Sequence, residues 1–565
     1  MSRASAGTSA PVPQMPGPAV TDMPAPIASR VPTPLGHART GRIDPGESIQ
    51  DRRPRYARGL LWSNMGPDIF TVADSTLCHP PLPDVPETER SDPVVNATLR
   101  QYPHLFHIVT PINIDRFDEL LRDHPNRPFV KSVVRGLREG FWPWAERPEE
   151  YPVTWDEVRP EPTDEAVAAF LETQRQEELA AGRFSEAFGL DLLPGMYCMP
   201  VHAVPKPHSD KMRLVTNHSA GAYSLNSMIP REAIAGVVLD GIPALGQALR
   251  RIRREHQRSL VMWKSDVSHA YRLMPMSPFW QIKQIVTIGG KRHVDHCNVF
   301  GNRGSQRIWN AFISLVIWIV IQMHLITLLG YVDDNYGAEE EGQLEYYKPY
   351  GYYYPRAQVL LLQIWDELGI PHEFKKQIYG PIIPIIGFDV DPNTMTVSMT
   401  SESKAALLKA IEKFCDTTTG RCRHTLREFL SLAGYVNWSL NVYPLLKPAL
   451  SSLYAKTAGK DKMNASIHVN QSIVNELEWF SHHVEISSGV HFFGAEEWAT
   501  SDLTQTDVSH EIAYVDASGS GLGIYFPWLG CGYTSSIPSG VPPGVIFFTE
   551  ALTACVALHK VRDFN

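Results

Sequence analysis

Two adjacent acids, Asp333 and Asp334, sit inside the stretch Leu328-Leu329-Gly330-Tyr331-Val332-Asp333-Asp334-Asn335-Tyr336-Gly337. The apolar run Leu325 to Leu329 ends at Gly330, and Asn335 and Gly337 tolerate turn geometry, so the pair is expected at the tip of a hairpin. Two carboxylates about 4 Å apart repel by roughly 4 kcal/mol at an effective dielectric near 20. A structural protein rarely keeps such a cost without a counter-ion. Oxygen-only ligands suit Mg²⁺, which takes one or two carboxylates and completes its shell with water and substrate phosphates. By itself the pair is also compatible with a solvated acidic turn.

The 565 residues leave room for three or four domains, and the net charge of -9 excludes a protein that coats nucleic acid along its whole surface. Any polyanion site must be local. One candidate is Arg250, Arg251, Arg253, Arg254 and Arg258 on an expected helix, for which a solvated face is the alternative. The cysteines at 78, 198, 297, 415, 422, 531 and 555 are scattered, odd in number and lack CxxC spacing, which points to a reducing compartment. Neither Cys415, Cys422 and His424 nor His293, His296 and Cys297 has zinc-site spacing. No signal segment opens the chain, so an intracellular location, cytoplasmic or nuclear, is expected. Ala311 to Ile321 is strongly apolar, but Gln322 and His324 interrupt it short of a membrane span. It is expected to be a buried core helix, and no membrane partner is expected.

Residues 1 to about 55 are rich in Pro, Ala, Gly and Ser and are expected to be disordered, within a mostly disordered Pro-rich segment 1–90. A helical extension, 91–193, follows. It holds a short helix at Ile114 to Leu121, a helix with an aromatic anchor from Phe129 to Trp144, and a Glu- and Pro-rich linker from Glu146 to Pro162. Thr163 is the expected N-cap of a helix reaching about Ala181 and stopped by Gly182. After Pro194 come short strands. Pro200 to Lys206 and Met212 to Thr216 suggest a hairpin whose Lys206, Lys211 and Arg213 can lie over a triphosphate. Leu260 to Val267 is an apolar strand ending near Asp266. Phe300-Gly301-Asn302-Arg303-Gly304-Ser305 is a turn before the long helix from about Gln306 to Met323. The acidic hairpin comes directly after it.

A basic hairpin, a strand Asp, a glycine turn before a helix and a strand-turn Asp-Asp, in that order, resemble the fingers and palm of reverse transcriptases. They look most like those of tyrosine-recombinase (DIRS-like) retroelements, with Tyr331-Val332-Asp333-Asp334 matching the signature hairpin. The resemblance implies an α+β chain with a right-hand polymerase fold: fingers and palm at 194–400, thumb at 401–460 and a connection at 461–507. It implies an RNA-directed DNA polymerase in which Asp266 and Asp333 hold two Mg²⁺ ions (Mn²⁺ as the alternative), with Asp334 beside them. Lys206 and Arg213 then hold the incoming deoxynucleoside triphosphate, Tyr271 excludes a ribose 2′-hydroxyl and Gly301 lies beneath nucleotide and template. Strand periodicity alone puts 266 and 271 on opposite faces, so a shared site requires the chain to leave the strand between them. The partners implied are an RNA or DNA template with its primer.

Lys375 or Lys376 matches the family's lysine-bearing loop, a proton donor to pyrophosphate; Lys375 is taken as the candidate. Six tyrosines between Tyr346 and Arg356, interleaved with Lys348, suit either stacking on a single strand or a packed aromatic loop. Ile385 to Val390 resembles the strand that grips the primer. Two expected helices, one from a Ser401 cap to Phe414 and one opened by the capping box Thr425-Leu426-Arg427-Glu428, resemble the thumb. Residues 508–565 resemble the opening of a ribonuclease H domain, with Asp516 and Glu550 as two of its carboxylates. This end is expected to be truncated and without ribonuclease H activity, because the next acid-bearing strand is missing before Asn565. His269 stands where many members carry an acid, and Asn298-Val299-Phe300-Gly301 lacks the usual proline. Two alternatives are a non-catalytic nucleic-acid-binding relic and an RNA-dependent RNA polymerase; Tyr271 opposes the latter, since small or polar residues usually admit ribose.

Overall fold

A helix that is apolar all round must be buried, and the run around Ala311 forms such a helix, Ser305–His324, one residue longer at each end than expected. It is long and apolar enough to cross a membrane by length and composition, yet Ile308, Trp309, Phe312, Leu315, Val316 and Ile319 all lie in the largest apolar cluster. In this computed structural model the described residues are 70–157, 160, 162–205, 212–255, 258–416, 423–487, 513–539 and 546–564. The expected disorder of 1–55, the hairpin tip with Lys206 and Lys211, and Cys422 lie outside them; residues 70–90, expected in the mostly disordered segment, are instead folded, because Val72, Ala73 and Leu82 bury their side chains in the largest apolar cluster. The chain divides into two units, whose described residues are 70–487 and 513–564.

In the first unit, Phe117 and Phe129, from the helices Ile114–Leu120 and Arg127–Glu139, pack in the same cluster as the long helix. Beside it runs a four-stranded antiparallel sheet in the order Ile378–Gly380, Leu260–Asp266, Asp334–Glu340, Leu329–Tyr331. Side chains alternate along a strand, and here both faces are covered. Trp263 faces the cluster of the long helix, whereas Leu260 and Met262 face a second cluster with Leu245 and Leu249 of the helix Ile242–Glu255. Register therefore decides which side each polar residue occupies. The basic run has its buried stripe there, with Arg251 exposed.

The expected linker between Glu146 and Pro162 is instead part of the fold. Trp155–Asp156 pairs in parallel with Tyr197–Cys198, which joins Ile285–Ile288 and Lys291–Val294 in a second sheet. Tyr151 and Trp155 set their rings 5.2 and 4.6 Å from Tyr223; burial of these rings outweighs the loop-forming Pro and Glu around them. Asp164 rather than Thr163 caps the next helix, Glu165–Ala180, accepting from the N–H groups of Ala166 and Val167.

Beyond the first sheet, Ile383–Ile385, Phe388–Asp391 and Thr396–Met399 form an antiparallel ribbon. Thr400, not Ser401, caps the helix Ser401–Cys415, while the capping box of Thr425 and Glu428 opens Leu426–Ser439 as expected. These helices and Gln471–Ile486 share the second cluster through Leu407, Phe429 and Leu477. The tyrosine-rich stretch is a two-stranded ribbon, Leu344–Tyr347 with Tyr352–Pro355. It packs Tyr347 and Tyr354 in the core and leaves Tyr346, Tyr352 and Tyr353 exposed.

The second unit holds three antiparallel strands, Tyr514–Ala517, Gly521–Phe526 and Cys531–Ser536, and the helix Ile546–Phe564. Ile524, Phe526 and Ala557 form its small core.

Candidate active site

The hairpin that carries the acids is tight: Tyr331 pairs with Asp334, leaving only Val332 and Asp333 in the loop. Val332 has φ +59°, a conformation that costs a β-branched residue about 1–3 kcal/mol unless its surroundings impose it. They do. The Trp309 indole N–H donates to the Val332 carbonyl at 2.6 Å, and the Val267 N–H donates to the Asp333 carbonyl at 3.2 Å. Gly330 lies so close to the long helix that a Cβ there would sit 2.4 Å from Ile317 Cδ1. Its N–H donates to the buried carboxylate of Asp240, which also accepts from the Val72 N–H at 2.8 Å. Burial pushes the Asp240 carboxyl up to about 6.

Asp266, the last residue of its strand, lies directly opposite Asp334. Asp333 adjoins them at the turn. Its carboxyl is pushed up to about 6, first by burial and then by the charges of Asp266 and Asp334. Burial also raises the Asp334 carboxyl, against the opposing pull of Lys264, whose Nζ lies 3.3 Å from Asp334 Oδ2. Lys376, not Lys375, is the loop lysine at the acids: its Nζ is 2.6 Å from Asp266 Oδ1, whereas Lys375 is 70% exposed and pairs with Glu373 at 2.6 Å. Register explains the correction. Ile378, the first residue of its strand, pairs with Lys264, two residues before Asp266, so the turn that ends at Lys376, two residues before Ile378, lies beside Asp266. On the 3₁₀ turn Phe374–Lys376, adjacent side chains point about 120° apart, so only one of the two lysines can face the acids.

The chain leaves the strand after Asp266, as a shared site with Tyr271 requires. His269 takes φ +60° and starts the 3₁₀ turn Ala270–Leu273. The Tyr271 hydroxyl donates to Gln306 Oε1 at the start of the long helix, and its ring centroid is 4.9 Å from that of Phe300. Its pKa is pushed up to about 12, by burial and then by the Asp333 charge. Arg213 places its guanidinium 4.9 Å from the centroid of the same Phe300 ring, linking the hairpin Val201–Pro205/Met212–Thr216 to Tyr271. Gly301 has φ +123°, and a Cβ there would lie 1.9 Å from the Thr216 carbonyl oxygen; only glycine lets the two segments approach so closely. Asn298, in the turn that lacks the family's usual proline, exchanges hydrogen bonds with Ser305 and so ties the turn to the helix.

Three oxygen donors, one of them held protonated up to about 6 by burial and like charge, suit a hard divalent cation. Lys264 and Lys376 already supply part of the missing positive charge. Among the described residues, no group of three or more His, Cys, Asp or Glu is gathered closely enough to hold a metal as it stands. Sequence reasoning passed over Asp240, Lys264, Gln306 and Trp309. A lone Asp before Gly241 reads as a turn, and the other three read as ordinary strand or helix residues. In the second unit, Asp516 pairs across the strands with Gly523, and Glu550 lies on the helix; both are exposed.

No protein-family profile and no curated protein matches this chain. Among solved structures it is similar to the foamy viral protease-reverse transcriptase in complex with an RNA/DNA hybrid, with a TM-score of 0.44 and 16% identity, covering 80% of this chain and 56% of that one. It is also similar to the same viral protein in complex with double-stranded DNA, with a TM-score of 0.45 and 17% identity over 81% of this chain and 88% of that one. A form designated dRH, with double-stranded DNA, gives a TM-score of 0.42 and 16% identity over 83% and 76%.

Proposed function

We propose that this chain is an RNA-directed DNA polymerase of a retroelement, extending a primer 3′-hydroxyl with deoxynucleoside triphosphates on an RNA or DNA template. One observation carries the proposal: the register that sets Asp266 opposite Asp334, with Asp333 at the adjoining turn and Lys376 level with them. Asp266, Asp333 and Asp334 would hold divalent cations, Mg²⁺ by the oxygen donor set. Such ions supply charge stabilisation for an in-line displacement at phosphorus. Arg213 binds phosphate oxygens, Tyr271 forms the wall against the sugar, and Lys376 offers a proton to the departing pyrophosphate. The site works mainly by holding charge in place.

The test is primer extension on an RNA template with deoxynucleotides and Mg²⁺. Asp333→Asn is expected to lower the rate by about 10²-fold or more while leaving primer-template binding intact. Equal rates for the two proteins would sink the assignment. The ion pairs Lys264–Asp334 and Lys376–Asp266 favour a second reading, a non-catalytic nucleic-acid-binding protein whose acids are neutralised internally. Duplex binding by the wild type without extension, in Mg²⁺ or Mn²⁺, selects it.

A further inference from the structure

The tyrosine ribbon divides its rings between two tasks. Tyr347 and Tyr354 fill the core beside the helix Arg356–Leu368, where the Tyr347 hydroxyl donates to Asp366 at 2.5 Å. Tyr352 is left 46% exposed, and beside it Phe374 is 52% exposed. Their rings meet edge-to-face with centroids 5.9 Å apart, and Tyr350 abuts Phe374 at 5.5 Å. Tyr352 opens the strand Tyr352–Pro355, while Tyr350 and Phe374 sit on two 3₁₀ turns whose rings touch, Lys348–Tyr350 and Phe374–Lys376. Each turn adds an exposed ammonium group, Lys348 on one and Lys375 on the other, the latter beside Glu373. The second turn ends at Lys376, whose ammonium lies 2.6 Å from Asp266. An aromatic surface flanked by lysines thus begins two residues from the side chain that touches the acidic site.

Exposed large apolar groups in contact with one another mark an interaction surface. Two perpendicular rings bracketed by ammonium groups fit a ligand with flat apolar faces and an anionic edge. A single-stranded polynucleotide has that chemistry: its bases stack on aromatic side chains and its phosphates meet the lysines. A duplex hides its base faces, and an amphipathic protein helix seeks an apolar groove. We infer that Tyr352 and Phe374, with Lys348 and Lys375, form a stacking platform for a single strand passing to or from the acids. The inference rests on the polymerase reading for the strand's purpose, but the platform is tested by binding alone.

The experiment uses the full chain, without nucleotides or divalent ions, and measures fluorescence anisotropy with a labelled oligothymidylate strand and with a blunt duplex. Tyr352→Leu/Phe374→Leu keeps apolar bulk and removes both π faces. Single-strand affinity is expected to fall about tenfold or more, with duplex affinity unchanged. Tyr352→Phe keeps the ring and is expected to bind like the wild type, so it serves as the control if the double variant misfolds: a tenfold loss in Tyr352→Phe overturns stacking. Unchanged single-strand binding in the double variant also overturns the inference and leaves the surface to a protein partner. Equal losses on single strand and duplex also overturn it, because a duplex offers no free base faces to stack on the rings. Because strand binding is read without nucleotides or divalent ions and primer extension is read separately, failure of primer extension and failure of the platform are separate results.

Discussion

At Asp333, burial and two neighbouring carboxylates raise the carboxyl to about 6, against about 3.9 in an unfolded chain. The folded state therefore binds the proton more tightly than the unfolded state. Its contribution to stability is fully present below about pH 4 and is lost as pH rises through about 6. Without divalent ions, Asp333→Asn is expected to melt about 2–6 °C higher than the wild type at pH 7, with the difference closing towards pH 4. Thermal unfolding at the two pH values checks this, and a lower melting temperature for the variant at pH 7 contradicts it. The two loop lysines also separate at this scale. Lys376→Ala is expected to slow primer extension by about 10²-fold, whereas Lys375→Ala, exposed and paired with Glu373, is expected to stay within about twofold, as single-turnover rates at saturating primer-template can show. Residue types alone leave the choice between the lysines open, because two adjacent lysines carry the same chemistry and only pairing register tells them apart.

The elements recovered most directly from the chain are those whose signal is local. The long helix, the strand Leu260–Asp266, the acidic hairpin and the capping box at Thr425 each follow from periodicity, turn residues or a cap within a few positions. The strand Trp155–Asp156 escapes such reasoning because it has two residues and pairs with Tyr197–Cys198, forty-two positions further on. The glycine turn is legible as a turn, but its reason is tertiary. A Cβ on Gly301 would meet a backbone oxygen of Thr216, which cannot swing aside as a flexible side chain would. Gly301→Ala is therefore expected to cost more than about 2 kcal/mol, read from urea unfolding. Gly182→Ala, at φ +68° with open space around it, should cost about 1 kcal/mol. Similar losses at both positions would show that the close approach to Thr216 is not what restricts Gly301.

Over the whole first unit, distant segments are joined by buried charge as well as by apolar packing. Lys283 is 1% exposed at its side chain, and its Nζ lies 2.7 Å from Glu89, 194 positions earlier in the chain. Removing one partner of such a pair strands the other charge. Lys283→Met is expected to cost about 3–5 kcal/mol and Lys283→Met/Glu89→Leu to recover most of it, by denaturant titration; full additivity of the two single losses would deny the coupling. Glu89 falls within the Pro-rich segment 1–90, and nothing near it in the chain announces Lys283. The same division runs through the candidate site. Hairpin, strand end, turn and core helix were readable because hydrophobic period and turn chemistry act over a few residues, and so the order of the acids along the chain was readable too. That Asp266 lies opposite Asp334, that Lys376 replaces Lys375, and that Lys264, Trp309 and Asp240 support the turn depends on strand register and close packing. Those are set by contacts between residues far apart in the chain, which local composition does not encode.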